Sequence, residues 1–114
     1  MQHSMRLDKN PFRKIKSGKK IIEVRLYDKK RQRLNVGDII KFAERPDFKH
    51  KQKVKITSLF IYPTFVELVN CFDINLFGYS QNYSKEKFVE SFFKIYSKEQ
   101  ESEYGVVGIK IELI

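Results

Sequence analysis

Apolar and polar positions change their spacing several times along this chain, and each change predicts an element. Asn10-Pro11-Phe12 predicts the start of a short helix. Asn suits the cap, Pro suits the first helical position, and Phe12 and Ile15 share one side before Gly18 ends it. Over residues 20–26 the period becomes two. Ile22, Val24 and Leu26 share one strand face, while Ile21, Glu23 and Arg25 share the other, which is mostly charged and a candidate binding wall. After a polar run over 27–35, the turn Val36-Gly37-Asp38 leads into a strand over 39–42, with Asp38 read as turn chemistry. Residues 45–52 read as loop. Residues 53–62 predict a long strand with Val54 and Ile56 inward and a bulge near Ser58, because Leu59 and Ile61 continue the apolar set out of phase. Pro63 stops it, Thr64 caps a short helix through Val69, and Ser84 caps a longer one. In that longer helix Phe88, Val89, Phe92, Phe93 and Tyr96 recur at helical spacing, the pattern of a core cover. Val107, Ile109, Ile111 and Leu113 alternate with Gly108, Lys110 and Glu112, the clearest strand of all. The elements make an α+β domain. Helices and irregular loops separate the strands, so a small closed or partly closed barrel with helical cover fits better than a sandwich.

The 114 residues are 41% hydrophobic with ten Phe and six Tyr, enough apolar mass for one core. Residues 1–114 are therefore expected to form a single domain, with 1–5 a flexible leader. The longest apolar stretches, 59–65 and 106–111, fall far below the ~20 residues that span a bilayer, and the amino terminus has no apolar signal core. No membrane partner and a cytoplasmic location are expected. Cys71 has no disulfide partner, and with His3 and His50 in separate polar segments it builds no zinc site, so no metal and no cofactor is expected. Cys71 lies in the apolar run 68–72 and reads as a buried, inert thiol; neither histidine is given a role.

Charge adds a partner. Residues 1–55 carry 18 Lys+Arg against 6 Asp+Glu, a net of +12, whereas residues 56–114 carry 5 against 8, a net of −3. Gathered on one face, that basic half suits a polyanion, and nucleic acid is the commonest. Lys29-Lys30-Arg31-Gln32-Arg33 puts four cations into five residues, either a phosphate clamp or a solvated loop. Tyr27, Tyr62, Tyr79 and Tyr83 lie in or beside loops, as base-stacking rings or as half-buried rim residues.

The segment Pro11-Phe12-x-x-Ile15-Lys16-Ser17-Gly18-x-Lys20-x-Ile22-Glu23-x-Arg25-Leu26, followed by Asp28-x-Lys30-Arg31 and Gly37-Asp38-x-Ile40-x-Phe42, resembles the ASCH domain family of the PUA-like superfamily. Phe77-Gly78-Tyr79-Ser80, Tyr96-Ser97-x-Glu99 and residues 104–109 are similar to its bacterial single-domain members. The resemblance implies a small β-barrel of about five or six strands with two or three flanking helices. It also implies a cleft beside the first strand, in a superfamily whose other branches bind RNA. In such a cleft Lys16 and Lys20 flank the turn at Ser17-Gly18. Arg25 is suited to fork onto a phosphate or base edge, Lys20 to contact a phosphate, and Glu23 to accept from an exocyclic amine or hold Arg25. Lys30 and Arg31 complete the candidate ligand-binding set, and the partner is RNA or a nucleotide-like molecule. The bland reading is a surface Glu-Arg pair beside solvated lysines.

The alternative is a small hydrolase. One ASCH branch is an amidohydrolase that removes acetyl from 4-acetylcytidine, and another member type is linked to ribonuclease activity. The amidohydrolase resembles this chain over Gly18-Lys19-Lys20-x-Ile22-x-x-Arg25, where its catalytic lysine falls on Lys20. Its catalytic threonine falls on Glu23, and its catalytic glutamate has no match in residues 65–104. Lys20 and Glu23 are therefore the candidate catalytic residues, and binding is preferred to catalysis. Nothing in the residues sets an oligomeric state; a monomer is the default.

Overall fold

Extended segments at both ends of the chain meet in one curled sheet, seen in a computed structural model that describes residues 1–114. The strands are β1 (Gln2–Leu7), β2 (Ile22–Leu26), β3 (Ile39–Glu44), β4 (Lys51–Tyr62) and β5 (Val106–Leu113). Their order is β1-β3-β4-β5-β2, parallel between β1 and β3 and antiparallel elsewhere, so β1 and β2 are the two edges. Four α-helices surround the sheet: α1 (Lys9–Lys16), α2 (Phe65–Asn70), α3 (Lys85–Phe92) and α4 (Lys98–Tyr104), with single 3-10 turns at Arg31–Arg33 and Ile74–Leu76. The α+β barrel expected from the sequence, closed or partly closed, is found in its partly closed form, a five-stranded half-barrel.

The apolar residues divide between the two faces of the sheet. One cluster fills the barrel with Met5, Phe12, Ile15, Phe42, Ile56 and Ile109 among its members. The other lies outside, between β2 with the start of β5 and the helices α2 and α3. There Phe65 stacks on Phe92 at 4.4 Å between ring centroids, and Phe77 meets Phe88 at 5.0 Å. Ile22, Val24 and Leu26 belong to this outer cluster. The charged face of β2 therefore points into the barrel, since Glu23 pairs with Ile109 and Arg25 with Val107, both residues of the inner cluster.

Several sequence expectations change. Residues 1–5 are not a flexible leader: β1 pairs with β3 from Gln2 onward, and Met5 is only 3% exposed. His3 acquires a role as well, its Nε2 lying 2.8 Å from Asp38. Asp38 accepts from the Asn35 amide in the expected turn and thereby ties that turn to β1. The first helix starts earlier than Asn10, with Asp8 at its cap, although Phe12 and Ile15 are its buried residues as expected. Helices number four rather than two or three, because α4 buries none of its side chains and gives no apolar period to read. The bulge in β4 falls between Ile56 and Ser58, but Ile61 stays exposed. Phe93 is half-buried at the end of α3 rather than core. Leu113 is exposed, since β5 there runs beyond the core. Cys71 is exposed rather than buried, because it caps α2 at its carboxyl end.

The place of β1 is open to direct measurement. Met5→Ala is expected to lower the unfolding free energy by about 2–5 kcal/mol in denaturant titration. A flexible leader would leave it unchanged.

Candidate functional site

A carboxylate on the barrel side of an edge strand needs partners, and two neighbours in sequence supply them. Glu23 is 4% exposed. Lys20 Nζ lies 2.8 Å from its Oε1 and Arg25 Nε donates to its Oε2 at 2.7 Å. Both carboxylate oxygens are thus engaged by charged donors whose side chains are themselves only 11% and 14% exposed. Burial alone raises the Glu23 carboxyl, but the charges of Lys20 and Arg25 and their hydrogen bonds outweigh it and bring it from 4.5 down to about 2. This is no surface pair. Arg25 also reaches across the open side of the sheet, its Nη2 donating to the Arg6 carbonyl of β1 at 2.9 Å.

Around this triad lies a cleft of about 490 Å³ between the edges β1 and β2, α1 and α3. One wall carries charge, from Lys14, Lys20, Glu23 and Arg25; the other is aromatic, from Phe77, Tyr79, Phe88, Phe92 and Tyr96. The aromatic wall is held against β2 by backbone contacts. Ile21 donates its amide to the Leu76 carbonyl at 3.0 Å, and Lys20 bridges Phe77. The approach is close enough that a Cβ on Gly78 would sit 2.9 Å from Lys20 Cβ, and Gly78 has φ +93, a conformation that other residues rarely adopt. Lys14 Nζ lies 4.2 Å from the centroid of the Tyr79 ring, on which Tyr83 stacks at 4.2 Å and which Phe88 meets edge-on at 5.0 Å. Burial and then the charges of Lys20 and Lys19 lower the Lys14 ammonium.

Comparison with known proteins identifies the family and the fold. The ASCH domain profile matches residues 5–114. The chain belongs to the ASCH domain family. The crystal structure of the hypothetical protein PH0355 matches this ASCH domain with a TM-score of 0.86 and 37% identity, over 100% of both chains. The solution structure of protein PF0455 from Pyrococcus furiosus matches it with a TM-score of 0.74 and 32% identity, over 100% of this chain and 98% of that one. No curated protein matches. These solved relatives are archaeal, so they lend nothing to the bacterial affiliation expected from the carboxyl-terminal motifs.

Within the ASCH domain the expected site residues separate into two neighbouring groups. Lys20, Glu23 and Arg25 converge in the cleft. Lys30 and Arg31 line a second hollow, a trough of about 560 Å³ on the other side of Arg25; Arg6, Arg25 and Arg45 border both. Lys16 lines neither and is exposed at the end of α1, where Lys14 takes the place it was expected to fill. Of the four tyrosines, Tyr79 lines the cleft and Tyr83 backs it, while Tyr27 and Tyr62 pack against the two cores. Sequence reading missed Lys14, Tyr96, Arg6 and Arg45. For Arg6 a signal exists, the alternation of Ser4 and Arg6 with Met5 and Leu7. No cluster of three His, Cys, Asp or Glu that could hold a metal is present, and no helix is long and apolar enough to cross a membrane.

The acid response of the triad has a defined sign. The folded value of Glu23 lies below the unfolded one, so its stabilisation is fully present above about pH 4.5 and is lost as pH falls through about 2. The gap corresponds to about 3 kcal/mol. Glu23→Gln is expected to remove about 3 kcal/mol at pH 7, leaving two buried cations without their carboxylate, and to flatten the loss of stability between pH 5 and 2. Denaturant titrations across that range read both effects; equal pH profiles for the two proteins contradict the ion-pair account.

Proposed function

We propose that this ASCH domain binds RNA without processing it, seating a nucleobase between the aromatic wall and the charged wall of the cleft. The observation that carries this reading is the state of Glu23. Ionised at neutral pH and held by a cation on each oxygen, it has no proton to give and little basicity with which to take one, so it is a poor general acid or base. It also stands where the amidohydrolase-like pattern needs a hydroxyl. What the triad does offer is a fixed row of polar atoms opposite a wall of rings. A flat heterocycle with donors and acceptors on its edge matches both, and the cleft volume lies within the range of small-ligand sites. The net positive charge of residues 1–55 supports a polyanionic ligand, and the cytoplasm is the proposed location.

Fluorescence titration with labelled single-stranded oligoribonucleotides and with the four nucleosides tests the reading. Tyr96→Ala is expected to weaken binding by roughly 5- to 150-fold, the equivalent of about 1–3 kcal/mol for one stacked base, with circular dichroism confirming the fold. Incubation with 4-acetylcytidine is expected to release no acetate. Rapid release that both Lys20→Ala and Glu23→Gln abolish overturns the binding reading in favour of a hydrolase.

A further inference from the structure

We propose that the basic trough beside the cleft is a phosphodiester site, which takes the sugar-phosphate backbone of the same strand whose base occupies the cleft. The smallest full ligand is then a dinucleotide, its base on one side of Arg25 and its phosphate on the other. This placement rests on the cleft being a base site.

The trough lies on the outer face of the sheet where β1, β3 and β4 run side by side. Its floor is made of the small residues Ser4 and Ala43, and cations rise around them. Along the ladder Ser4 pairs with Lys41, which pairs in turn with Lys53; Arg6 pairs with Ala43, which pairs with Lys51. Like charges directly opposite one another, such as Lys41 and Lys53, oppose strand pairing, so folding gives no reason for them. The loop after β2 adds Lys30 and Arg31 at the open end. No carboxylate lines the trough. Arg25, Arg31 and Arg45 have acidic partners, in Glu23, Asp28 and Asp8, whereas Arg6, Lys30, Lys41 and Lys51 have none within 4 Å.

Three further details indicate a surface arranged for an anion. Arg31 Nε is buried and has no hydrogen-bond partner, although the same guanidinium spends Nη1 on Asp28. Burial and the charges of Arg31, Arg25 and Arg6 lower the Lys30 ammonium against the opposing pull of Asp28, the effect of cations gathered without enough counter-charge. Phe48, at the rim, adopts φ 60, a strained conformation for a bulky residue, and there its ring lies 4.9 Å from the Arg6 guanidinium. Arg6 is thus fixed at both ends, its carbonyl by Arg25 and its guanidinium over Phe48.

The double variant Lys41→Gln/Lys51→Gln lies outside the cleft and tests the trough. With two backbone contacts removed, the slope of log affinity for a single-stranded oligoribonucleotide against log salt is expected to fall by about 1.4. Over a fourfold rise in salt the native protein then loses about sevenfold more affinity than the variant. Nucleoside affinity is expected to stay the same, and the thermal midpoint to stay the same or rise. Oligonucleotide affinity and slope equal to those of the native protein overturn the proposal. Amide shifts in nuclear magnetic resonance separate the two sites. Oligonucleotide shifts at Ser4 and Ala43 but not at Phe77 and Tyr79 support the trough as a phosphate site and refute the cleft as a base site. The opposite pattern refutes the trough alone. Tripolyphosphate is the probe for a free phosphate ligand: saturation of Ser4 and Ala43 that the oligonucleotide cannot displace overturns the backbone assignment.

Discussion

The site is organised by one buried carboxylate. Glu23 projects from the barrel side of an edge strand and is only 4% exposed, and a lone ionised group so buried would cost several kcal/mol. Lys20 and Arg25 are positioned by this need. The same requirement explains why Arg25 is extended toward β1, since only from that direction does its Nε meet Glu23 while Nη2 meets the Arg6 carbonyl. Charge neutralisation within β2 and the link between the two sheet edges are therefore one arrangement. A cleft forms along that line because the sheet does not close there by strand pairing.

The aromatic residues serve two purposes by virtue of where β2 turns its apolar face. Ile22, Val24 and Leu26 face outward and must be covered, and α2 and α3 cover them with Phe65, Leu68, Phe88 and Phe92. Some of these rings extend past the strand edge. Phe88 and Phe92 are core residues by burial and cleft-wall residues by position. The apolar wall of the cleft is thus an edge of the hydrophobic core, held rigid by packing that the domain needs in any case.

How much of this was legible in the sequence follows from how each element earns its burial. Strands β2 and β5 were readable because a strict period of two survives in both, and α3 because Phe88 and Phe92 lie four apart. Strand β1 was missed since only Met5 and Leu7 mark it, and its stability comes from pairing with β3 and from Asp38, both remote in sequence. Helix α4 has no apolar stripe; its one local signal is the capping box of Ser97 and Gln100. The nearness of Glu23 and Arg25 was legible from their spacing of two, but the arrival of Lys20 beside them and the burial of Glu23 were not. Alternation assigns the charged face of a strand to solvent, and here the helices take the apolar face instead. Lys14 rather than Lys16 reaches the cleft because Phe12 and Ile15, packed in the barrel, set the rotation of α1, and the position of the cleft relative to that helix is fixed by elements remote in sequence.

The backbone link between residues 20–21 and 76–77 bears on the energetics of any occupant. The backbone segments that carry Lys20 on one side and Phe77 and Tyr79 on the other are joined by an amide-to-carbonyl hydrogen bond and pack across a glycine that admits no side chain. A ligand therefore meets two backbone segments that are already joined. The backbone ordering entropy that a flexible pocket surrenders on binding has here been spent during folding, so a rigid guest keeps more of its contact energy as affinity.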